Sequence, residues 1–585
     1  MQEPFWGVSR PGRSDDWRAH LWAPSARQVH WLLDGVCHDM RRDDRGVWQA
    51  EASASPGACY RFQVDGLSIP DPASRRQAGD VEADCVLTPP DFDWGHPRPG
   101  RDWSEAVIYE LHIGTFTPEG SFTAAAERLA ALAALGITAI QLMPLGQWPG
   151  TRGWGYDGVL PWAPHPAYGT PEDLRALIDR AHGLGLMVIL DLVMNHFGPQ
   201  GAVLSRIAPE FFDPARHTPW GAAIDFAQPA VRDYWTGCAL AWLRDYRLDG
   251  LRLDAVHQIS GPGADAFLTD FACAAKAVGQ PEGAPVHLIL EDERNRPELR
   301  EAGYDAAWND DFHHAIHVAL TGEDRGYYAG FAADPLGDLA LALQHGQVEQ
   351  GQPRVGRDDV PRGAPCGHLP TTAFVNATQT HDQIGNRAQG ERLLALADPA
   401  GVRVAYALLL VSPFIPMLFM GEERGETRPF LFFTDYRGDL AQAVRDGRAA
   451  EFADSAGSDP GAGEAVPDPN AAETFAASRL GWRDDARARD WLDLTRRALD
   501  FRHRHVVPLL GRPRLGVRVT RPDPAAFGAV WDFAGGRLEL ALNFGAATGR
   551  PSGRASDAGT WPEPAFRLGD LARDAHALAA RVVPA

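Results

Sequence analysis

The sequence lacks several features that would place it in an extracellular or membrane class. Its 585 residues include a single lysine, Lys276, and six cysteines that form no CxxC pair. Sparse, scattered thiols are typical of a reducing compartment rather than of a disulfide-stabilised secreted protein. Residues 1–20 contain no apolar core of signal-peptide length, and no stretch reaches the roughly 18 apolar residues of a membrane span. We therefore predict a cytoplasmic protein with no membrane partner.

Positive charge is also scarce. The chain has 56 basic and 77 acidic residues, a formal net charge of −21. Nucleic acids and anionic membranes bind basic surfaces, so this balance argues against either as the main partner. The composition, 45% hydrophobic and 23% charged, is that of a globular protein, and the length is sufficient for several domains.

Both ends of the chain have the pattern of antiparallel β structure. Short apolar runs such as 19–23, 28–33 and 60–64 are separated by Gly, Pro and Asp turns. They predict an immunoglobulin-like β-sandwich over residues 1–100. Similar runs return near the end of the chain and predict a second, smaller β-sandwich domain over residues 506–585.

The central region, residues 101–505, alternates strand-like runs with amphipathic helical runs. Eight such units favour a closed (β/α)₈ TIM barrel, with a short insertion at 194–228 after the third strand. An open doubly wound sheet is the alternative, but no strand is followed by a GxGxxG or GxxxxGK phosphate loop. The strand candidates are 106–116, 137–144, 187–193, 248–254, 286–292, 305–310, 373–380 and 416–421.

Acidic and imidazole groups stand at the ends of four of these strands. The segments are 191–196, 250–254, 288–292 and 380–382. One polar cluster after a buried strand could be accidental. Because the carboxyl ends of barrel strands meet at one face, four in series predict a single shared site.

Two of these segments have patterns that suit cleavage of a glycosidic bond. Arg252 and Asp254 alternate with leucines, so both point to one face, and the arginine favours an ionised carboxylate that can attack an anomeric carbon. Glu291 ends a very apolar run, which raises a carboxyl pKa and suits a general acid. Alone, each could be a structural ion pair or a helix cap. With Asp382, whose carboxylate can help strain a sugar ring, the pattern favours catalysis.

Two other groups of residues leave alternatives open. His313, His314 and His317 include an i, i+4 pair that is compatible with a metal, but no HExxH accompanies them and a helix after strand six explains them equally. Trp154 and Tyr156 lie in a glycine-flanked segment after strand two, where they could stack on a sugar. Most of the 18 tryptophans are better explained as core packing.

At these residues the chain closely resembles the α-amylase superfamily, glycoside hydrolase family 13. Its four signature regions are recognisable at 191–196, 250–257, 288–293 and 380–386. The resemblance implies that Asp254 is the nucleophile, Glu291 the acid/base and Asp382 the transition-state stabiliser. The residues that it implies for sugar binding are Tyr156, His196, Arg252, His257 and His381.

Further strings, at 153–158, 291–295, 308–314 and 420–435, are similar to the branch of the superfamily that acts on maltooligosyltrehalose. This similarity implies hydrolysis, with retention, of the α-1,4 bond next to a terminal trehalose, on a substrate made by a partner synthase. Trp154 and Asp435 then become further candidates for substrate binding.

Two rival functions remain at this stage. A glycogen branching enzyme would typically carry His-Asp-Glu where this chain has His381, Asp382 and Gln383. A catalytically silent carbohydrate-binding protein on the same fold would have lost one or more carboxylates, and all three persist. The segment after Asn195 is short and lacks an acidic cage, so we predict no required calcium and no cofactor.

Overall fold

The computed structural model describes residues 4–12, 15–354, 360–453, 466–545, 565–569, 571 and 574–584. Its centre is a closed barrel of eight parallel strands, as the sequence predicted. The strands are β1 (Ile108–Leu111), β2 (Ala139–Leu142), β3 (Met187–Leu192), β4 (Gly250–Leu253), β5 (His287–Leu290), β6 (Ala306–Trp308), β7 (Phe374–Ala377) and β8 (Ile415–Phe419).

The barrel strands are buried on both faces, so most of their residues are apolar. One set of side chains packs against the surrounding helices. The other set fills the barrel, and includes Ile108, Ile189, Ile289, Val375 and Met417. A filled interior leaves the carboxyl ends of the strands as the place where polar side chains can meet.

Helices follow the strands and cover the barrel. Two predicted boundaries were wrong. Residues Ile113–Phe116, assigned to the first strand, form a short helix. The stretch 388–412, which the sequence pattern predicts as one amphipathic helical run, contains two helices, since Pro399 begins a new one. The longer helices are Phe122–Leu135, Pro171–Gly183, Pro229–Asp245, Ala264–Gly279, Asp310–Thr321, Pro335–His345, Pro399–Val411, Gly438–Ala453 and Ala486–Phe501, and the shorter ones are Leu204–Ile207, Glu298–Glu301, His381–Gly385, Leu393–Leu396, Ala472–Ala477 and Val507–Leu510.

The N-terminal region forms two antiparallel sheets, which confirms the predicted β domain. Its buried Trp6 donates a hydrogen bond from Nε1 to the carbonyl of Ala230 at 2.8 Å and packs on Tyr234, so this domain is fixed to a barrel helix. One sheet contains Gly7–Ser9, Asp16–Trp22, Val47–Ser53 and Arg41–Arg42; the other contains Val36–Asp39, Val29–Leu33, Cys59–Val64, Leu67–Ile69 and Cys85–Val86.

The C-terminal region forms a five-stranded antiparallel sheet, as expected for a β domain. Trp531 is fully buried beneath it, and its Nε1 donates to the carbonyl of Leu343 at 3.2 Å. The face of the sheet therefore packs on a barrel helix. The exact domain boundaries stay predictions. In sheet order the strands are Arg514–Asp523, Ala526–Phe533, Gly536–Asn543, Ala577–Pro584 and Ala565–Leu568.

All six cysteine thiols are free, which agrees with the absence of a disulfide framework in the sequence. Across the described residues, no helix combines the length and the apolar character that crossing a bilayer requires.

Candidate active site

Arg252 is the organising residue of the site. It is buried on β4, directly opposite Asp191 in the register with β3. Its Nη1 donates to both carboxylate oxygens of Asp191 and to Oδ1 of Asp254, each at 2.8 Å, and its Nη2 lies 2.8 Å from Oε2 of Glu291. One guanidinium thus holds carboxylates from the ends of three neighbouring strands. Its partners offset the cost of burying its charge.

Asp254 immediately follows β4 and has a second fixed contact. The side-chain amide of Asn195 donates to Oδ2 of Asp254 at 2.9 Å and to the backbone carbonyl of Asp254 at 3.1 Å. The carboxylate is therefore held by two charge-assisted hydrogen bonds. The Asn195 amide therefore positions the carboxylate.

Glu291 follows β5 and lies beside Asp254. Its Oε2 accepts a hydrogen bond from the backbone N–H of Ala255 at 2.8 Å. Burial raises the pKa of Glu291, Arg252 partly offsets this, and the negative charge of Asp254 raises it further. A carboxyl group with a raised pKa stays protonated nearer to neutral pH, as a general acid must.

Ala255, which follows Asp254 and contacts Glu291, has a strained backbone. Ala255 has φ 40° and ψ 50°, a left-handed conformation that residues with a Cβ rarely adopt. Such strain costs on the order of 1–3 kcal/mol and persists when the surroundings impose it. Here it aims the Ala255 N–H at Glu291.

Asp382 lies in the short helix that follows β7. The amide of Asn386 donates to its Oδ1 at 2.7 Å. Burial raises the pKa of Asp382, and the adjacent His381 lowers it. The structure therefore brings Asp254, Glu291 and Asp382 to the same end of the barrel, as the sequence predicted.

Aromatic and imidazole side chains form one wall of the site. Tyr156 donates from its hydroxyl to Oδ2 of Asp191 at 2.7 Å and stacks on His381, with ring centroids 5.1 Å apart. Nε2 of His196 lies 3.0 Å from the carbonyl of Tyr156. Burial lowers the pKa of His196 to about 4, so its ring is neutral at physiological pH. Nδ1 of His196 contacts Oδ1 of Asn195, so a sugar hydroxyl would share a ring nitrogen that already has a protein partner.

The remaining predicted residues have different surroundings. Trp154 is buried, stacks on Phe430 and donates from Nε1 to the Leu431 carbonyl at 3.0 Å, so it supports the wall from behind. His257 lies in the turn after β4, with Nε2 3.7 Å from a carboxylate oxygen of Glu293. Asp435 accepts from the backbone N–H of Thr151 at 2.8 Å and pairs with Arg152. Asp435 thus joins two loops at the rim.

Three residues of the site escaped the sequence analysis. Glu110 on β1 contacts His381, Trp220 stacks on His196, and Asp310 lies near Glu291 and Asp382. The sequence contains a signal that could have identified Asp310, because this residue follows β6 as the other carboxylates follow their strands. An acidic residue inside an apolar strand is a comparable signal for Glu110. Trp220 lies in a hairpin turn and has none.

Two of the three histidines after β6 have protein partners. Nδ1 of His313 lies 2.9 Å from the Thr378 carbonyl, and Nε2 of His317 lies 2.8 Å from Oε2 of Glu323. Burial lowers the pKa of His313 to about 3. These nitrogens have protein partners, so the helical explanation is favoured over a metal site at this position.

A parallel eight-stranded barrel with three carboxylates at the carboxyl ends of its strands defines the class of α-amylase-type glycosidases. A family model of the α-amylase catalytic domain matches residues 91–210. A crystal structure of a Salmonella typhimurium protein assigned to the α-amylases superposes with a TM-score of 0.92, at 43% identity, with 100% of both chains covered.

Curated relatives narrow the class further. The malto-oligosyltrehalose trehalohydrolase of Deinococcus radiodurans is 44% identical over 80% of this chain and 77% of its own length, and that of Saccharolobus solfataricus is 38% identical over 79% and 82%. A branching enzyme of Leifsonia xyli subsp. xyli is 33% identical, but over only 40% of this chain and 36% of its own length. The chain belongs to the malto-oligosyltrehalose trehalohydrolase family.

Proposed function

We propose that the protein hydrolyses the α-1,4-glucosidic bond next to the terminal trehalose of a maltooligosyltrehalose, and releases trehalose and a maltooligosaccharide. Two trehalohydrolases that match along most of their length support this substrate. The single observation that carries the chemistry is Arg252, which contacts Asp254 at 2.8 Å and Glu291 at 2.8 Å with one guanidinium.

In the first step, Asp254 attacks the anomeric carbon while Glu291 gives its proton to the departing glycosidic oxygen. Arg252 and Asn195 hold the Asp254 carboxylate in position. The raised pKa of Glu291 keeps the proton that the leaving group needs. This step forms a covalent glycosyl–enzyme bond and releases trehalose.

In the second step, water attacks the glycosyl–enzyme. Glu291, now ionised, takes a proton from that water, and Asp254 leaves. Asp382 stabilises the positive charge that develops on the sugar in both steps. We assign Tyr156, His196, His381 and His257 to the sugar hydroxyls and Arg252 to the carboxylates, with Trp154 and Asp435 holding the walls of the site.

Two displacements at one carbon retain its configuration, and this can be tested directly. We expect ¹H NMR of the early products to show the α-anomer of the maltooligosaccharide, before it mutarotates. Release of the β-anomer would exclude Asp254 as a covalent nucleophile and indicate direct attack by water.

The substrate is tested by giving purified protein maltooligosyltrehalose and, separately, a plain maltooligosaccharide of equal length. We expect free trehalose from the first and at least about tenfold slower cleavage of the second, because a site built to hydrogen-bond a substrate group rejects analogues that lack it. Equal rates would make the protein an unspecific amylase.

A branching enzyme is the second candidate, supported by the partial match to that class. It would transfer a cleaved glucan to another chain rather than to water. Iodine staining and linkage analysis of treated amylose separate the two, because only transfer creates α-1,6 branches. A silent binding protein would leave every α-glucan intact.

We further propose that the protein acts in the cytoplasm, without a cofactor, on a product of a separate synthase. The scattered free thiols support a reducing compartment. The synthase is expected to supply substrate through solution, so the activity on purified substrate should not require it.

A further inference from the structure

A small cluster of metal-ligating side chains lies on the N-terminal domain, outside the barrel. It sits on the hairpin of strands Val29–Leu33 and Val36–Asp39. Asp34 and Gly35 join the strands with φ of 46° and 78°. Two successive residues with positive φ form the tight hairpin turn that fixes strand register. The positions of side chains across this hairpin are therefore set by the backbone.

That register brings three different ligand types together. His30 lies directly opposite Asp39, and Leu32 lies opposite Cys37. Trp31 and Leu33 of the same strand are in the core, so His30, Cys37 and Asp39 occupy the outward face. One ligand atom from each of His30, Cys37 and Asp39 lies within 4.8 Å of the others.

The imidazole of this cluster faces the carboxylate of Asp39. Nδ1 of His30 is shielded from solvent and, within the part of the chain that the structure describes, makes no hydrogen bond of acceptable angle. It lies 2.9 Å from Oδ1 of Asp39. An ion bound between these two atoms would take the lone pair of the nitrogen and one of the carboxylate oxygen.

We propose that His30, Cys37 and Asp39 bind a divalent transition-metal ion of the zinc type. Imidazole nitrogen, thiolate sulfur and carboxylate oxygen are the donors that Zn²⁺ takes, at about 2.0–2.3 Å, in a tetrahedral arrangement. Three protein ligands leave the fourth position open to water. The thiolate selects against Mg²⁺ and Ca²⁺, which require oxygen ligands.

The surroundings of the cluster are compatible with a cation. Gln63 is the neighbour of His30 on the next strand, and Arg61 is the neighbour of Leu32. Arg61 is paired with Asp84 and donates from Nη1 to Ser68 at 3.0 Å. Its positive charge is therefore offset by Asp84 and directed away from the three ligands. The bound ion would join the edge strand Val36–Asp39 to its neighbour Val29–Leu33 in the described sheet, and so hold an exposed edge in place.

Cobalt is the probe, because Co²⁺ replaces Zn²⁺ and is coloured when bound. Untagged, reduced protein is titrated with Co²⁺, and then with Zn²⁺ to displace it. We expect a thiolate-to-cobalt charge-transfer band that saturates at one ion per chain and disappears when zinc is added. No such band at millimolar Co²⁺ would overturn the proposal.

Variants locate the site. The band should vanish in Cys37→Ser and weaken at least tenfold in apparent affinity in His30→Gln and Asp39→Asn. Cys273→Ser is the matched control, because Cys273 is the other exposed thiol of the described chain, and it should leave the band unchanged. A band that persists in Cys37→Ser, or that is lost in Cys273→Ser, contradicts the assignment.

Alkylation gives a second readout that does not depend on any variant folding. In the wild-type protein, saturating Zn²⁺ should slow alkylation of Cys37 at least tenfold, as measured by peptide mass spectrometry. Alkylation of Cys273 should proceed at an unchanged rate. Equal protection of both thiols, or of neither, would overturn the proposal.

Discussion

Glu110 on β1 and His381 at the start of the helix after β7 form a buried pair. Oε1 of Glu110 lies 2.7 Å from Nδ1 of His381, and Oε2 accepts the His381 backbone N–H at 3.0 Å. Burial alone would lower the pKa of His381, but the charge of Glu110 raises it overall. The pair fixes the ring that stacks on Tyr156 and precedes Asp382.

Substitution Glu110→Gln should lower kcat/KM by about 10- to 100-fold, the cost of one buried hydrogen bond to a charged group. The accompanying loss of stability should be largest below pH 6.5 and should shrink as the pH rises above it. The charged ring stabilises the fold fully below its ordinary pKa of 6.5, and this contribution is lost as pH rises through the raised pKa. In the variant the charge of Glu110 is absent, so the His381 ring loses its proton at a lower pH. Identical pH profiles of activity and of Tm would contradict this coupling.

Asp254→Asn should reduce kcat by at least about 1000-fold, as expected when a covalent nucleophile is removed. Asparagine has nearly the same shape, so the contacts with Arg252 and Asn195 should keep the fold. Circular dichroism and thermal unfolding close to those of the wild type are the control. Activity within tenfold of the wild type would remove Asp254 from the mechanism.

Substitution of Asp310 should change the pH dependence of kcat/KM. Burial, together with the nearby Glu291, raises the pKa of Asp310 to about 7. Above that pH it becomes negative and makes Glu291 harder to ionise. In Asp310→Asn this charge is absent, so Glu291 loses its proton at lower pH. The alkaline limb of kcat/KM should shift down by about half a pH unit. An upward shift would contradict the assigned proximity.

Much of this architecture could be predicted because its signals are local. Each barrel strand is a short apolar run, and Asp254 and Glu291 directly follow theirs. The first strand was predicted too long because its apolar pattern continues into the helix Ile113–Phe116.

The contacts that complete the site were not predictable in the same way. Glu110 and His381 are 271 positions apart, and Tyr156 and Asp191 are 35 apart. The Glu110–His381 pair forms only when the barrel closes and brings β1 beside β8. Sequence spacing along one strand carries no information on which distant side chain lies opposite.

Trp220 offers a test of the wall above His196. Its ring stacks on His196 with centroids 4.2 Å and planes 11° apart, and it remains 49% exposed. Trp220→Ala removes this support and an exposed aromatic face, so we expect a KM increase of about five- to tenfold, as for the loss of one stacking contact. Trp220→Phe keeps the stack and should restore most of the affinity. A loss in kcat alone would contradict a role in binding.

Gly385 tests how tightly Asp382 is held. A Cβ at this position would lie 2.0 Å from Cζ2 of the buried Trp154. Gly385→Ala must therefore displace the helix that carries Asp382 or the tryptophan beneath it. We expect a loss of about 1–3 kcal/mol in the free energy of unfolding, as for other overpacked sites, and a large fall in kcat.

Gly447→Ala is the matched control, since a Cβ there meets nothing within 4 Å. It lies inside a helix and should leave activity unchanged and stability equal or up to about 1 kcal/mol higher. If both variants unfold at the same temperature and retain activity, Gly385 does not fix the position of Asp382.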